Sequence, residues 1–266
     1  MLTVSETLDP TGNFQINNKK VLIKYLGKAE HVIIPHGVLE IGEYAFKKNT
    51  TIQSVEIPDS VEVIQYAAFS DCHGLLDIHL PDSIAKIEFS AFSGCSGLKT
   101  VRLPSSLRII EKHTFFLCEQ LTELVIPEGI LEIKDSAFSW CESLQHISLP
   151  TSLVTIEKGA FYGCEALAEV RIPEGVTRIE DETFKNCDAL NSVILPETLI
   201  SIGDGAFEDC HTLAEIFIPH GVLEIGSKAF AGCYDLADIY LPDSVISVGA
   251  DAFRSYLTFA TDTIIH

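Results

Sequence analysis

Between Phe92 and Phe115 the apolar positions that recur are Phe92, Cys95, Leu98, Val101, Leu103, Leu107 and Ile110, with mostly polar residues between them. Val101 and Leu103 flank an outward Arg102, the period-two signature of a short strand with one buried face. Pro104 ends that strand, because proline lacks the N–H that a neighbouring strand would need. Leu107 and Ile110 then form a second apolar pair on an extended or loosely wound return. Phe92 and Cys95 stand three apart, the spacing of one turn of α- or 3₁₀-helix. The pattern predicts a strand, a turn, a return and a short helical corner.

The same pattern recurs every 23 residues. Prolines stand at ten positions from Pro35 to Pro242 and phenylalanines at ten from Phe46 to Phe253, each series at intervals of 23, and all eight cysteines keep the beat from Cys72 to Cys233. A fixed period of 20 to 50 residues marks a repeat architecture, in which units too small to bury their own apolar side stack on their neighbours. Each column then becomes a ladder. Phe92, Phe115, Phe138 and Phe161, with Cys95, Cys118, Cys141 and Cys164, are predicted to form its structural core. Residues 31–253 are ten such units in one domain. Residues 1–30 form an N-terminal cap, a hairpin of Phe14 to Ile16 and Val21 to Tyr25 around "NNKK". Residues 254–266 form a degenerate C-terminal turn, with Tyr256 where the cysteine was due and Phe259 where leucine was.

The unit "LxxVxLPxSLxxIxxxAFxxCxx" resembles the BspA-like, or Treponema-type, leucine-rich repeat, and the opening "FQINNKKVLIKYLGKAEHVIIPHGV" resembles the leader that precedes the first repeat in many such proteins. The resemblance implies a right-handed repeat solenoid with a parallel β-sheet on its concave side and a bacterial or protist origin. It also implies a cell-surface, adhesive role toward host matrix proteins or other cells.

Charge narrows the partners. With 38 acidic against 18 basic residues the formal charge is −20, which opposes phosphate backbones and anionic bilayers. A protein partner is expected, without nucleic acid or membrane insertion, and the solenoid itself is expected to be a monomer. No apolar run is long enough to span a bilayer, and "MLTVSETLDPTGNFQINNKK" has no basic region followed by an apolar stretch. Two readings of function stay open: a surface adhesin whose leader has been removed, and an intracellular bacterial scaffold with a cytosolic partner.

Cysteines on adjacent units point the same way about 5 Å apart, whereas a disulfide needs Cβ atoms converging to about 3.8 Å. A buried ladder of free thiols is predicted, with no metal, no cofactor and no disulfide. Asn49 replaces the thiol in the first unit. The nine histidines occupy scattered columns, and no nucleophile elbow, P-loop or zinc-protease motif is present. The chain reads as a non-enzymatic binding scaffold.

Functional freedom belongs to the outward strand positions, which the period does not dictate. One outward column reads Ile33, Glu56, His79, Arg102, Val125, Ser148, Arg171, Ile194, Phe217, Tyr240. Its last three members are large and apolar, and an exposed apolar strip marks a contact site; the competing expectation is that the C-terminal turn folds over them. The other reads His31, Ser54, Asp77, Thr100, Glu123, His146, Glu169, Ser192, Glu215, Asp238, with acid and non-acid alternating from Asp77 to Glu215. Alternation keeps carboxylates about 10 Å apart instead of about 5 Å. That column serves either solubility and the suppression of stacking mistakes or an acidic concave groove for a basic or metal-bearing ligand; ligand-binding residues are expected among Arg102, Val125, Arg171, Ile194, Phe217, Tyr240, Glu123, Glu169 and Glu215.

Two details concern how the units were built. The residue two after each proline alternates over Gly129, Ser152, Gly175, Thr198, Gly221 and Ser244, which predicts two alternating turn geometries. The nonapeptide "IPHGVLEIG" occurs twice, at 34–42 and 218–226, eight periods apart. Structure accounts for its apolar positions, and copying of units for the rest.

Overall fold

The computed structural model describes residues 6–254 and 264–265. Each 23-residue unit makes one rung of a parallel β-solenoid. The first column of strands runs from His31–Ile33 through Ser54–Glu56, Asp77–His79, Thr100–Arg102, Glu123–Val125, His146–Ser148 and Glu169–Arg171 to Ser192–Ile194. The second column consists of two-residue strands, from Glu40–Ile41 to Ser247–Val248. Between successive repeats the pairing is parallel and shifts by 23 residues, as in Val55 opposite Ile78 and Ile133 opposite Ile156. The return stretch therefore forms a second column of parallel pairing, divided among three sheets.

One continuous apolar core fills the space between the columns. The phenylalanine column from Phe46 to Phe253 forms a single stack, with ring centroids 4.7 to 5.5 Å apart and interplanar angles of 3 to 11°. Those spacings lie in the favourable range for offset aromatic pairs. All eight cysteines are buried and free. Each Sγ donates to the carbonyl of the phenylalanine one rung before its own, at 3.1 to 3.4 Å. Burial pushes the thiols up, to about 12 at Cys72, Cys164 and Cys233. In the first rung Asn49 Oδ1 accepts instead from the Thr51 and Ile52 amides, at 3.0 and 3.2 Å.

The corner is where the expectation of a helix is corrected. Its amides alternate between two partners. Ala91, Ser93 and Cys95 close turns on the carbonyls of Glu88, Ser90 and Phe92, while Ser90, Phe92 and Gly94 donate to Lys112, Thr114 and Phe116 on the next rung. A helix would satisfy these amides internally and leave nothing for the neighbour. Here left-handed residues interrupt it, Ser90 at φ 57° and Gly94 at φ 73°, and the corner becomes a third inter-rung ladder.

The cap contains one strand more than the predicted hairpin. Glu6–Leu8 (β1) pairs antiparallel with Phe14–Asn17 (β2), and β2 pairs antiparallel with Val21–Tyr25 (β3). β3 then pairs in parallel with Glu40–Ile41, so the cap covers the second sheet. Tyr25 and Phe14 prolong the ring stack beyond Phe46, each step at 5.2 Å. At the far end Ile264–Ile265 pairs in parallel with Asp238–Ile239, although "TDTIIH" fits the repeat poorly. Tyr256 and Phe259 lie outside the described residues.

The predicted alternation of turns is also corrected. Gly129 is left-handed at φ 95°, but Gly175 is not, and it shares the ordinary region with Ser152. A Cβ at Gly175 would lie 2.4 Å from the Leu153 carbonyl oxygen, so glycine is needed there for close approach of rungs. The serines of this column do not hold their own turns. Ser83, Ser152 and Ser244 each donate at 2.7 Å to a carbonyl of the preceding rung, at Val61, Ile130 and Val222.

Candidate functional site

The three-residue strands point their middle residue into the core and their first and third outward. The register places Asp77 opposite Thr100, Glu123 opposite His146 and Glu169 opposite Ser192. Acidic residues therefore alternate with non-acidic partners across adjacent rungs. Among the described residues Asp77, Glu123, Glu169 and Glu215 make no ion pair.

The ladder on this face is not continuous. The first four strands form one sheet, Glu123–Val125 pairs only with His146–Ser148, and Glu169–Arg171 pairs only with Ser192–Ile194. Ala214–Phe217 is not in a strand and, among the described residues, makes no backbone hydrogen bond to either neighbouring rung. Grooves open at two of these interruptions. One, of about 580 Å³, lies between the third and fifth rungs and brings together Arg102, Glu123 and Val125 with Asp77 and His79. The other, of about 560 Å³, brings together Ile194, Glu215, Phe217 and Tyr240. Glu169 and Arg171 stand on a strand between the two and line neither.

Phe217 is 64 % exposed and Tyr240 69 %. Phe217 meets the His220 ring edge-on at 6.4 Å. Arg102 pairs with Asp82, 3.3 Å away. Asp82 also accepts from the Ser105 amide, and that bond, ahead of the one from Arg102, holds its carboxyl below the usual range. The groove therefore keeps unpaired carboxylates on one side and a partly neutralised cation on the other.

Three features went unread in the sequence. Tyr44, Tyr66 and Phe89 form a ring cluster at the corner near the cap, at 5.0 and 4.1 Å, with the Lys47 ammonium 4.8 Å from the Tyr44 centroid. These rings come from two neighbouring columns, so no single column displays them. Glu119, Glu142, Glu165 and Asp188 occupy the column after the cysteine on four successive rungs. Burial, then the charges of Glu165 and Glu119, push the Glu142 carboxyl up. The avoidance of like-charge neighbours on the strand face thus does not extend to this column, where Glu142 and Glu165 are exposed and Glu119 and Asp188 half-buried. Third, Glu208 is buried beside Lys185 at 2.6 Å. Burial opposes the Lys185 charge, but the bonded carboxylate raises its pKa overall. That sign reversal between adjacent rungs was the signal available.

Two histidine rings meet a serine hydroxyl, His31 with Ser54 at 2.8 Å and His73 with Ser96 at 3.2 Å, and both pairs are exposed on the surface and outside the grooves. Among the described residues no group of three or more His, Cys, Asp or Glu side chains is placed to hold a metal ion, and no helix is long and apolar enough to cross a membrane. What the arrangement offers is a shaped surface.

Comparison with known proteins agrees with that description. Residues 21–145 and 131–259 match the model of the family described as BspA type leucine rich repeat region, in six copies. A leucine-rich repeat protein from Bacteroides ovatus ATCC 8483 is 25 % identical with a TM-score of 0.66, over 96 % of this chain and 91 % of that one. A leucine rich cell surface protein from Faecalibacterium prausnitzii A2-165 is 28 % identical with a TM-score of 0.58, over 94 % and 86 %. The T. pallidum leucine rich repeat protein is 27 % identical with a TM-score of 0.53, over 91 % and 89 %. No curated protein matches in sequence.

Proposed function

Because the chain belongs to the BspA-type leucine-rich repeat family, we propose that it is a non-enzymatic protein-binding scaffold of the bacterial surface adhesin type, using the face of its three-residue strands. One observation carries this reading. Ile194, Phe217 and Tyr240 are exposed on three successive rungs and line one groove, on a strand face whose other outward positions are mostly polar. Isolated exposed apolar residues are ordinary, whereas a contiguous strip rimmed by charge is the pattern of contact surfaces. The similarity to a cell surface protein of F. prausnitzii supports the surface setting. Phe217 and Tyr240 would act as the anchors, since large aromatic side chains dominate interface energetics.

The test is the double substitution Phe217→Ser with Tyr240→Ser. Loss of capture from a host matrix extract at unchanged melting temperature supports the reading. A lowered melting temperature with capture unchanged would show that the strip serves the fold, as a surface covered by the C-terminal segment. Capture from bacterial lysate instead of matrix extract would move the partner inside the cell.

A further inference from the structure

Building on the protein-binding reading, we infer that the strand face takes a basic polyproline-II segment lying along the solenoid axis, its cations on Asp77, Glu123, Glu169 and Glu215 and its prolines over Ile194, Phe217 and Tyr240. The argument starts from spacing. The four carboxylates occupy every second rung and have no counter-ion among the described residues. Two rungs of parallel strands span roughly 9.6 Å. A polyproline-II helix repeats every three residues with a rise of about 3.1 Å each, so every third side chain returns to the same face after about 9.3 Å. A cation at every third position therefore meets each carboxylate in turn. An extended β-strand cannot do this, because positions three apart point to opposite faces.

An α-helix returns to nearly the same face after seven residues, about 10.5 Å. Its diameter of about 10 to 12 Å would carry it over both outward columns, which lie only about 6.6 Å apart on each strand. The slimmer helix can set one edge on the carboxylate column and another on the apolar one. The apolar column favours it too. Prolines dock between exposed aromatic rings in a conformation already ordered before binding, and Phe217 and Tyr240 stand exposed on adjacent rungs. A polyproline-II backbone has no internal hydrogen bonds, and the amides of Ala214–Phe217 that join no ladder border the same groove.

Charge sets the register. The face's two cations, Arg102 and Arg171, stand in the apolar column, and Arg102 is held by Asp82 at 3.3 Å. A ligand whose cations follow the carboxylate column avoids both. The net charge of −20 speeds the approach of any basic segment, so the periodic match, rather than attraction alone, is what must be tested.

The experiment titrates the intact protein with (Lys-Pro-Pro)₅ and with its isomer Lys₅Pro₁₀ at physiological salt. The periodic peptide is expected to bind at least tenfold more tightly. Glu123→Gln with Glu169→Gln should remove most of that advantage, leave binding of the block isomer nearly unchanged, and leave the melting temperature unchanged because both side chains are exposed. Equal affinity for the two isomers would reduce the effect to counter-ion attraction and overturn the inference. So would tighter binding of a helical peptide carrying lysine at every seventh position. If neither proline peptide binds while the Phe217→Ser, Tyr240→Ser variant still loses its captured partner, this inference fails and the protein-binding reading stands. If that variant keeps its partner, the reading itself fails.

Discussion

The stretches 34–42 and 218–226 have the same sequence and different neighbours. The first lies against the cap and the second against a full repeat. Much is conserved between them. The Leu39 and Gly42 amides donate to the Lys20 and Leu22 carbonyls at 2.9 and 2.8 Å, and Leu223 and Gly226 donate to Ile200 and Ile202, both at 2.8 Å. The cap strand thus presents carbonyls where a repeat would. The turns differ. Gly37 is left-handed at φ 85°, with nothing within 4 Å of a Cβ position. Gly221 is not left-handed, and a Cβ there would meet the Leu199 carbonyl oxygen at 3.0 Å. Identical residues adopt different backbones because one turn is packed on the carbonyls of a preceding rung and the other faces open space.

The largest test of the comparison concerns what the copies share. Ile41 and Ile225 are both buried in the ladder, so Ile41→Ala and Ile225→Ala should each cost about 2 to 5 kcal/mol. Denaturant unfolding that shows a much smaller cost at Ile41 would mean the cap does not cover its rung as a repeat does.

Alkaline pH should separate the copies. The first rung ends in Asn49 and the rung of the second copy in Cys233, whose thiol burial pushes up to about 12 from an ordinary value near 9. The protonated thiol is favoured in the folded state. Its contribution is fully present below about pH 9 and is lost as pH rises toward about 12. Hydrogen exchange at pH 10, compared at matched intrinsic rates with pH 7, should therefore show loosening around Phe207–Cys233 before the first rung. The opposite order would break the comparison.

Smaller effects test the turn. Gly37→Ala should cost about 1 to 2 kcal/mol, since a side chain is disfavoured in the left-handed region. Gly221→Ala should fall near zero, the contact with Leu199 offset by the lower entropy of the unfolded chain. Equal costs in thermal unfolding would remove the distinction between the turns. Ser60 Oγ accepts from the Gly37 amide at 3.2 Å and donates to the Val38 carbonyl at 2.7 Å. In the second copy Ser244 is bonded, among the described residues, to Val222 alone. Ser60→Ala should cost about 1 kcal/mol and Ser244→Ala less. Least of all, Leu39→Ser and Leu223→Ser, both 41 % exposed, should stay within about 0.5 kcal/mol. Matching near-neutral values would fit a shared identity that reflects copying.

Much of this molecule is legible in its 23-residue recurrence. The phenylalanine, cysteine and proline columns were legible because burial and strand termination restrict residue type at every rung. The left-handed corner was not. Its two positions per rung hold Tyr44, Ala67, His113, Leu117, Trp140 and other side chains, with glycine at only some rungs, so no residue preference announced it. The exposed strip at Ile194, Phe217 and Tyr240 was legible as a departure from a polar column. The interruption that turns it into a groove was not, because an unpaired Ala214–Phe217 has the same apolar alternation as its paired neighbours. Tyr25 went unread as a member of the ring stack because the cap lies outside the period.

By itself the sequence determined the unit, its strands and the composition of its core, since a strict 23-residue recurrence admits one register of stacking and each column then inherits one environment. Tertiary structure decided what that recurrence leaves equal: which glycine turns go left-handed, where the ladder opens, and that the corners bond between rungs instead of coiling. These depend on contacts one rung away, and a period describes every rung alike while the neighbours at caps and grooves differ.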